Sequence, residues 1–130
     1  MRLERNDAGA KAAIDEIFGA DLTAPYCGYL VRDGEVVAGV VVLNNYEQGL
    51  SVDLTFAGRL DARAARELCR IIFDDLKVRR VTAVTRMSNA FARAALLRFG
   101  FVREGVLRCR FANEDGIIYG LLRSDLKFRF

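Results

Sequence analysis

Apolar and polar positions along this chain repeat with two different periods, and the switches between them mark its elements. Met1–Arg5 reads as a short edge strand. Asp7 is placed as the N-cap of a helix running to about Phe18, with a stripe of Ala12, Ala13, Ile14, Ile17 and Phe18 and a stop at Gly19. Tyr26–Val31 and Glu35–Leu43 flank Arg32-Asp33-Gly34, an Asp-Gly turn between β-rich runs and therefore a hairpin. Residues 44–49 are turn-rich, and Leu50–Ala57 then sets Leu50, Val52, Leu54 and Phe56 against Ser51, Asp53 and Thr55, a period of two with one buried face that Gly58 ends. From Asp61 to Leu76 the period becomes helical. Ala64, Ala65, Leu68, Ile71, Ile72 and Leu76 face inward, and Arg63, Arg66, Glu67, Arg70 and Asp74 face outward. Arg79–Thr85 is β-branched, which makes Leu50 through Thr85 a βαβ unit with parallel outer strands. Asn89 is the N-cap of a second helix with a stripe of Phe91, Ala92, Ala95, Leu96 and Phe99, and Gly100 supplies the left-handed residue at its end. Phe101–Phe111 and Ile117–Leu122 form a final hairpin across Asn113-Glu114-Asp115-Gly116. The pattern gives one α+β domain over residues 1–130, a mixed sheet flanked by helices, without internal repeats.

Composition narrows the chemistry. Histidine is absent, which removes Ser–His–Asp, Cys–His and histidine–metal schemes. Cys27, Cys69 and Cys109 are odd in number and widely spaced, so they predict small buried hydrophobes in a reducing, cytoplasmic setting. The longest apolar run, Val36–Leu43, falls far short of a membrane span, and no membrane partner is expected. Charge is divided unevenly: residues 1–58 carry 4 Lys/Arg against 9 Asp/Glu, and the remainder 16 against 8, so the two parts hold about −5 and +8. The excess is arginine, beginning at Arg59 and continuing through Arg63, Arg66, Arg70, Arg79, Arg80 and Arg86. Guanidinium forks match phosphate oxygens, so an anionic, phosphorylated ligand is the expectation. Nucleic acid ranks below it, because no aromatic stacking platform is interleaved with these arginines.

The strand–loop–helix around residues 50–76 should offer free amides at a helix N-terminus, where the macrodipole favours an anion. Here the chain resembles the GNAT superfamily of acetyl-CoA-dependent N-acetyltransferases, whose pyrophosphate loop reads Arg/Gln-x-x-Gly-x-Gly/Ala between a strand and a helix. Arg59-Leu60-Asp61-Ala62-Arg63-Ala64 occupies that register. Asn89 opening a short helix that closes on Gly100-Phe101 matches a second family segment. Arg79–Ala83 and Tyr119–Ser124 look closest to the branch of ribosomal-protein N-acetyltransferases and small phage-encoded relatives. The resemblance implies the GNAT fold, a central, mostly antiparallel sheet with a splayed parallel strand pair, in which pantetheine threads between Leu50–Ala57 and Arg79–Thr85. It implies acetyl-CoA as donor and an amine acceptor, protein or small molecule. It implies cofactor contacts at Leu54, Phe56, Arg59, Leu60, Asp61, Ala62, Arg63, Ala64 and Asn89.

This sequence departs from the pattern twice. Ala62 stands where the loop has its first glycine, and Asp61 puts a carboxylate beside the phosphates, a residue that could equally cap the helix itself; Arg59 and Arg63 are compensating clamps. The position seven residues after Asn89, where many members carry a thiolate-protonating tyrosine, is Leu96. Ser88 and Tyr119 are the candidate substitutes, and Asp53, with Glu47 behind it, is the candidate base. The acidic residues Asp7, Asp15, Glu16 and Asp21 suit a cationic acceptor. The alternative reading is a non-catalytic GNAT-like binding or assembly domain with a degenerate coenzyme A loop. Strands near Gly105–Phe111 and Ile117–Leu122 are candidates for pairing in a homodimer.

Overall fold

The computed structural model describes residues 1–18 and 25–130; the expected helix stop Gly19 and the acidic Asp21 lie outside the described residues. Among these, one sheet contains β1 (Arg2–Arg5), β2 (Tyr26–Asp33), β3 (Val36–Glu47), β4 (Ser51–Gly58), β5 (Arg80–Arg86), β6 (Val102–Phe111) and β7 (Glu114–Leu121), in the order β1-β2-β3-β4-β5-β7-β6. All neighbours are antiparallel except β4 and β5, which are parallel. Helices α1 (Asp7–Phe18), α2 (Ala62–Cys69) and α3 (Ala90–Phe99) flank the sheet. Among the described residues no helix is long and apolar enough to cross a membrane.

Two cores sit on opposite faces. On one, Ala10 and Ile14 of α1 bury Leu30, Val40 and Val42. On the other, Ala64, Leu68 and Cys69 of α2 cover Val31, Val41, Val52 and Val81, with Tyr119 and Leu121 of β7 in the same cluster. Helix α2 does not end at Cys69 but loosens into a π-helical stretch, Arg70–Asp75. The wider turn lets Ile72 and Phe73, neighbours in sequence, both reach the core. Phe73 meets Phe130 at 6.2 Å between ring centroids, and Phe128 packs edge-on against Phe99 of α3 at 5.1 Å, so the C-terminal tail straps α2 to α3.

Several expectations shift in detail. Asn6, not Asp7, caps α1: its Oδ1 accepts the Gly9 amide at 2.9 Å. Asp7 is the first helical residue, and its Oδ1 accepts the Gly28 amide of β2 at 2.8 Å. Strand β3 runs through the segment expected to be a turn, because a bulge between Asn44 and Glu47, with Asn45 at φ 51°, absorbs the irregularity. Leu50 is therefore left in the turn and is exposed. The last hairpin turns earlier, at Ala112-Asn113, and Glu114–Gly116 belong to β7. A register shift between Leu107 and Phe111 accommodates this, with Cys109 at φ 53° and its amide on Asp115. That leaves Cys109 exposed and Cys27 half-buried, while Cys69 is buried and its thiol is pushed up to about 12 by that burial. Phe91 of α3 and Ile17 of α1 face solvent instead of the core. Strand β7 is interior, so of the two strands expected to pair between subunits only β6 has a free edge.

At the end of the β3–β4 ladder Gly39 pairs with Gly58. Gly58 has φ +92°, and a Cβ there would fall 2.4 Å from the Ala38 carbonyl oxygen; one on Gly39 would fall 2.7 Å from that of Arg59. The Arg59 amide donates to Ala38 at 2.9 Å, so backbone crosses backbone as the loop leaves the sheet. Gly58→Ala should cost about 2–4 kcal/mol, read as a lowered urea midpoint with unchanged slope.

Candidate active site at the parted strands

Strands β4 and β5 share only Ser51↔Arg80, Val52↔Val81 and Asp53↔Thr82. Beyond that point β4 stays with β3 as far as Gly58, and β5 stays with β7 as far as Arg86. The two parallel strands therefore part towards their C-terminal ends. The edges of 54–57 and 83–86 that face one another no longer satisfy each other's ladder groups. The wedge is bounded by the loop after β4 on one side and the loop after β5 on the other. Leu54, Phe56 and Leu60 pack their side chains against the main core, so backbone is what this part of β4 offers the wedge.

The loop after β4 leads into α2, whose first amides would be free to hold an anion. Of these the Ala64 amide is already engaged. Asp61 Oδ1 accepts it at 2.9 Å. Its Oδ2 lies 2.7 Å from the Met1 ammonium. The Ala64 amide, followed by the Met1 ammonium, holds the Asp61 carboxyl below the usual aspartate range. Around it Arg59, Ala62 and Arg63 are exposed, while Ala64 is buried beneath the helix.

Solved structures that share this architecture include acetyltransferases. A putative acetyltransferase superposes with a TM-score of 0.74 over 95% of this chain and 86% of its own, at 21% identity. Mutant forms of the spermidine/spermine N-acetyltransferase SpeG from Vibrio cholerae give 0.76 over 94% of each chain, at 15% identity. The ribosomal-protein-S5-alanine acetyltransferase from Vibrio fischeri gives 0.67 over 79% of this chain and 64% of its own, at 19% identity. The chain has the GNAT acetyltransferase fold. No family model and no curated protein matches it, so the likeness is one of fold.

Within the GNAT fold the candidate residues fall into separate places. Asp53 sits at the apex of the wedge, in the last shared pair, and its Oδ2 accepts the Asn45 side-chain amide at 2.8 Å. Glu47 pairs with Ser51 at the closed end of β4, away from the opening. Tyr119 is 1% exposed and lies opposite Ala83 on the face that carries the main core, whereas Asp53, opposite Thr82, lies on the other face. The sheet therefore separates these two candidates. Ser88 is in the loop beyond β5, but its amide and its hydroxyl both donate to Glu114, each at 2.8 Å. The Ser88 amide, then its hydroxyl, hold the Glu114 carboxyl below its usual range, so this hydroxyl is tied to an ionised acceptor. Asn89 caps α3 through the Ala92 amide at 3.0 Å, and Leu96 packs against the core. Of the acidic residues around α1, Asp7 is bound to Arg5 and Gly28, and Asp15 pairs with Lys11.

Sequence reasoning missed Glu114 and Glu104. Glu114 anchors the loop after β5, and its signal was hidden because the segment reads as a turn. Glu104 reaches across Gly120 to Arg80, whose Nη1 donates to Oε2 at 2.9 Å while Nε donates to Thr82 Oγ1 at 2.9 Å. A Cβ on Gly120 would lie 2.4 Å from the Glu104 carboxylate, so the glycine is what lets this strut cross β7.

Coenzyme A would meet two different environments here. The wedge, with unpaired backbone on both sides, fits a pantetheine arm that carries amides of its own. The α2 N-terminus does not fit a pyrophosphate seated on amides, because a carboxylate of the same sign already occupies that of Ala64 and the Ala62 methyl stands at the loop surface. Asp61→Asn tests this assignment. Asparagine keeps the cap, so stability at neutral pH should change by no more than about 1 kcal/mol, while inorganic pyrophosphate should bind more tightly than to the parent by calorimetry. The depressed Asp61 carboxyl contributes stability above its unfolded pKa of about 3.9 and loses it as pH falls through the folded value, so the variant's stability should fall less steeply below about pH 4.

Proposed function

We propose that this chain is an N-acetyltransferase that takes an acetyl group from the thioester of a pantetheine arm, the arm that acetyl-CoA carries, and passes it to an amine of a protein or small molecule. The observation that carries this reading is the parting of β4 from β5 after three shared pairs. It provides unpaired backbone amides along the facing edges of 54–57 and 83–86. Such an amide is a fixed donor for a carbonyl oxygen on which negative charge develops. Asp53, held at the apex by Asn45, is the chain's candidate to receive the amine proton, directly or through one water. With Leu96 apolar, Tyr119 in the core and the Ser88 hydroxyl on Glu114, solvent is left to protonate the departing sulfur.

A second reading, a binding domain without catalysis, draws on one observation: Asp61 holds the Ala64 amide at the helix N-terminus where an anionic donor would sit. Turnover decides between them. Incubation with acetyl-CoA and a mixture of polyamines, amino-terminal peptides and lysine peptides, followed by mass spectrometry, should reveal a +42 Da acetyl product on an amine. Asp53→Asn should lower kcat by about 10²-fold or more with little change in KM for the donor. Arg59→Ala should raise that KM about tenfold, the worth of one guanidinium–phosphate contact. Saturable binding with no product in any acceptor class would favour the binding domain.

A further inference from the structure

Arg59, Arg63, Arg66 and Arg70 are all exposed, and none has a carboxylate partner among the described residues. The helix places Arg63, Arg66 and Arg70 within one narrow stripe, opposite the buried Ala64, Ala65, Leu68 and Cys69. Carboxylates at the right spacing exist but are turned away. Glu67, four residues after Arg63, has its Oε2 on the Leu3 amide at 3.3 Å, and Asp74, four after Arg70, has its Oδ1 on Arg123 at 2.9 Å. The result is a ridge of four uncompensated guanidinium groups that begins at the mouth of the β4–β5 wedge and runs away from it along α2. Coenzyme A does not need a ridge of that length, and at the helix N-terminus where its pyrophosphate would sit the Asp61 carboxylate already holds the Ala64 amide.

Resting on the acyl-transfer reading above, we propose that this ridge docks an acidic carrier protein, whose phosphopantetheine arm delivers the acetyl thioester into the wedge. Such a donor carries one phosphodiester in place of a pyrophosphate and an adenosine phosphate, so it makes no demand on the Ala64 amide. Its acidic surface supplies the charge that the arginines lack. Arg59, nearest the wedge, meets the single phosphate, and Arg63, Arg66 and Arg70 meet carboxylates of the carrier. In the transfer the acetyl carbon–sulfur bond breaks and a carbon–nitrogen bond forms. The amine loses one proton, and the thiol of the arm gains one.

The test compares acyl carrier protein bearing an acetylated phosphopantetheine arm with the same carrier lacking the arm, with acetyl-CoA and with a 20-base RNA, by binding and by transfer to whichever amine the acceptor screen yields. The acetylated carrier should bind at least tenfold more tightly than acetyl-CoA. The double variant Arg66→Glu/Arg70→Glu should weaken carrier binding at least tenfold, and 0.5 M salt should weaken it further, while transfer from acetyl-pantetheine stays unchanged. Carrier binding that ignores the charge reversal, or RNA that binds more tightly than the carrier, would overturn the proposal; transfer from acetyl-CoA would then still support the acyl-transfer reading. Transfer from no thioester to any amine would overturn that reading instead, with the carrier's affinity for the arginine ridge read separately.

Discussion

Two adjacent parallel strands that are each bound more firmly to their outer neighbour than to one another cannot stay together, and the site depends on that inequality. β4 is tied to β3 down to the Gly39–Gly58 crossing, and β5 is tied to β7 from Val81 to Arg86. Their own ladder stops at Asp53↔Thr82. The Arg80–Glu104 strut adds a brace on the β5 side by fastening β5 to β6 across the flat surface of Gly120. The α2–π segment and the C-terminal tail cover the main-core face of the sheet.

Electrostatics then divides the mouth of the wedge. At the α2 N-terminus the Asp61 carboxylate meets the helix dipole and takes the Ala64 amide from within the chain, while arginines immediately beside that residue go unpaired. A site built to seat a pyrophosphate would leave the amides bare. Here the positive charge sits on long side chains spread along a helix, a better match to a broad acidic surface than to two adjacent phosphates.

Much of the architecture was legible in the sequence because hydrophobic period reports directly on which face is buried. The βαβ unit, the Asn89 cap and the left-handed Gly100 all follow from local rules, and all stand in the structure. What was hidden depends on long-range pairing. The bulges at Asn44–Glu47 and Leu107–Phe111 use non-glycine residues at positive φ, Asn45 and Cys109, and so move both hairpin boundaries away from where turn residues suggest them. Asp7 and Glu104 serve partners in other strands, at Gly28 and Arg80, which no local pattern announces. At the site, the loop register of Arg59–Ala64 could be read from residue order. That Tyr119 faces the core while Asp53 faces the other side of the sheet became visible only once the strands were in register.

If the backbone between the parted strands receives a pantetheine thioester, amide hydrogen exchange reads it. With saturating acetyl-pantetheine, which carries neither phosphate nor protein, the amides of residues 54–57 and 83–86 that face the wedge should exchange more slowly, while those of α1 and the β1–β2 ladder keep their rates. Protection confined to α2, or none at all, would show that the thioester does not enter between β4 and β5.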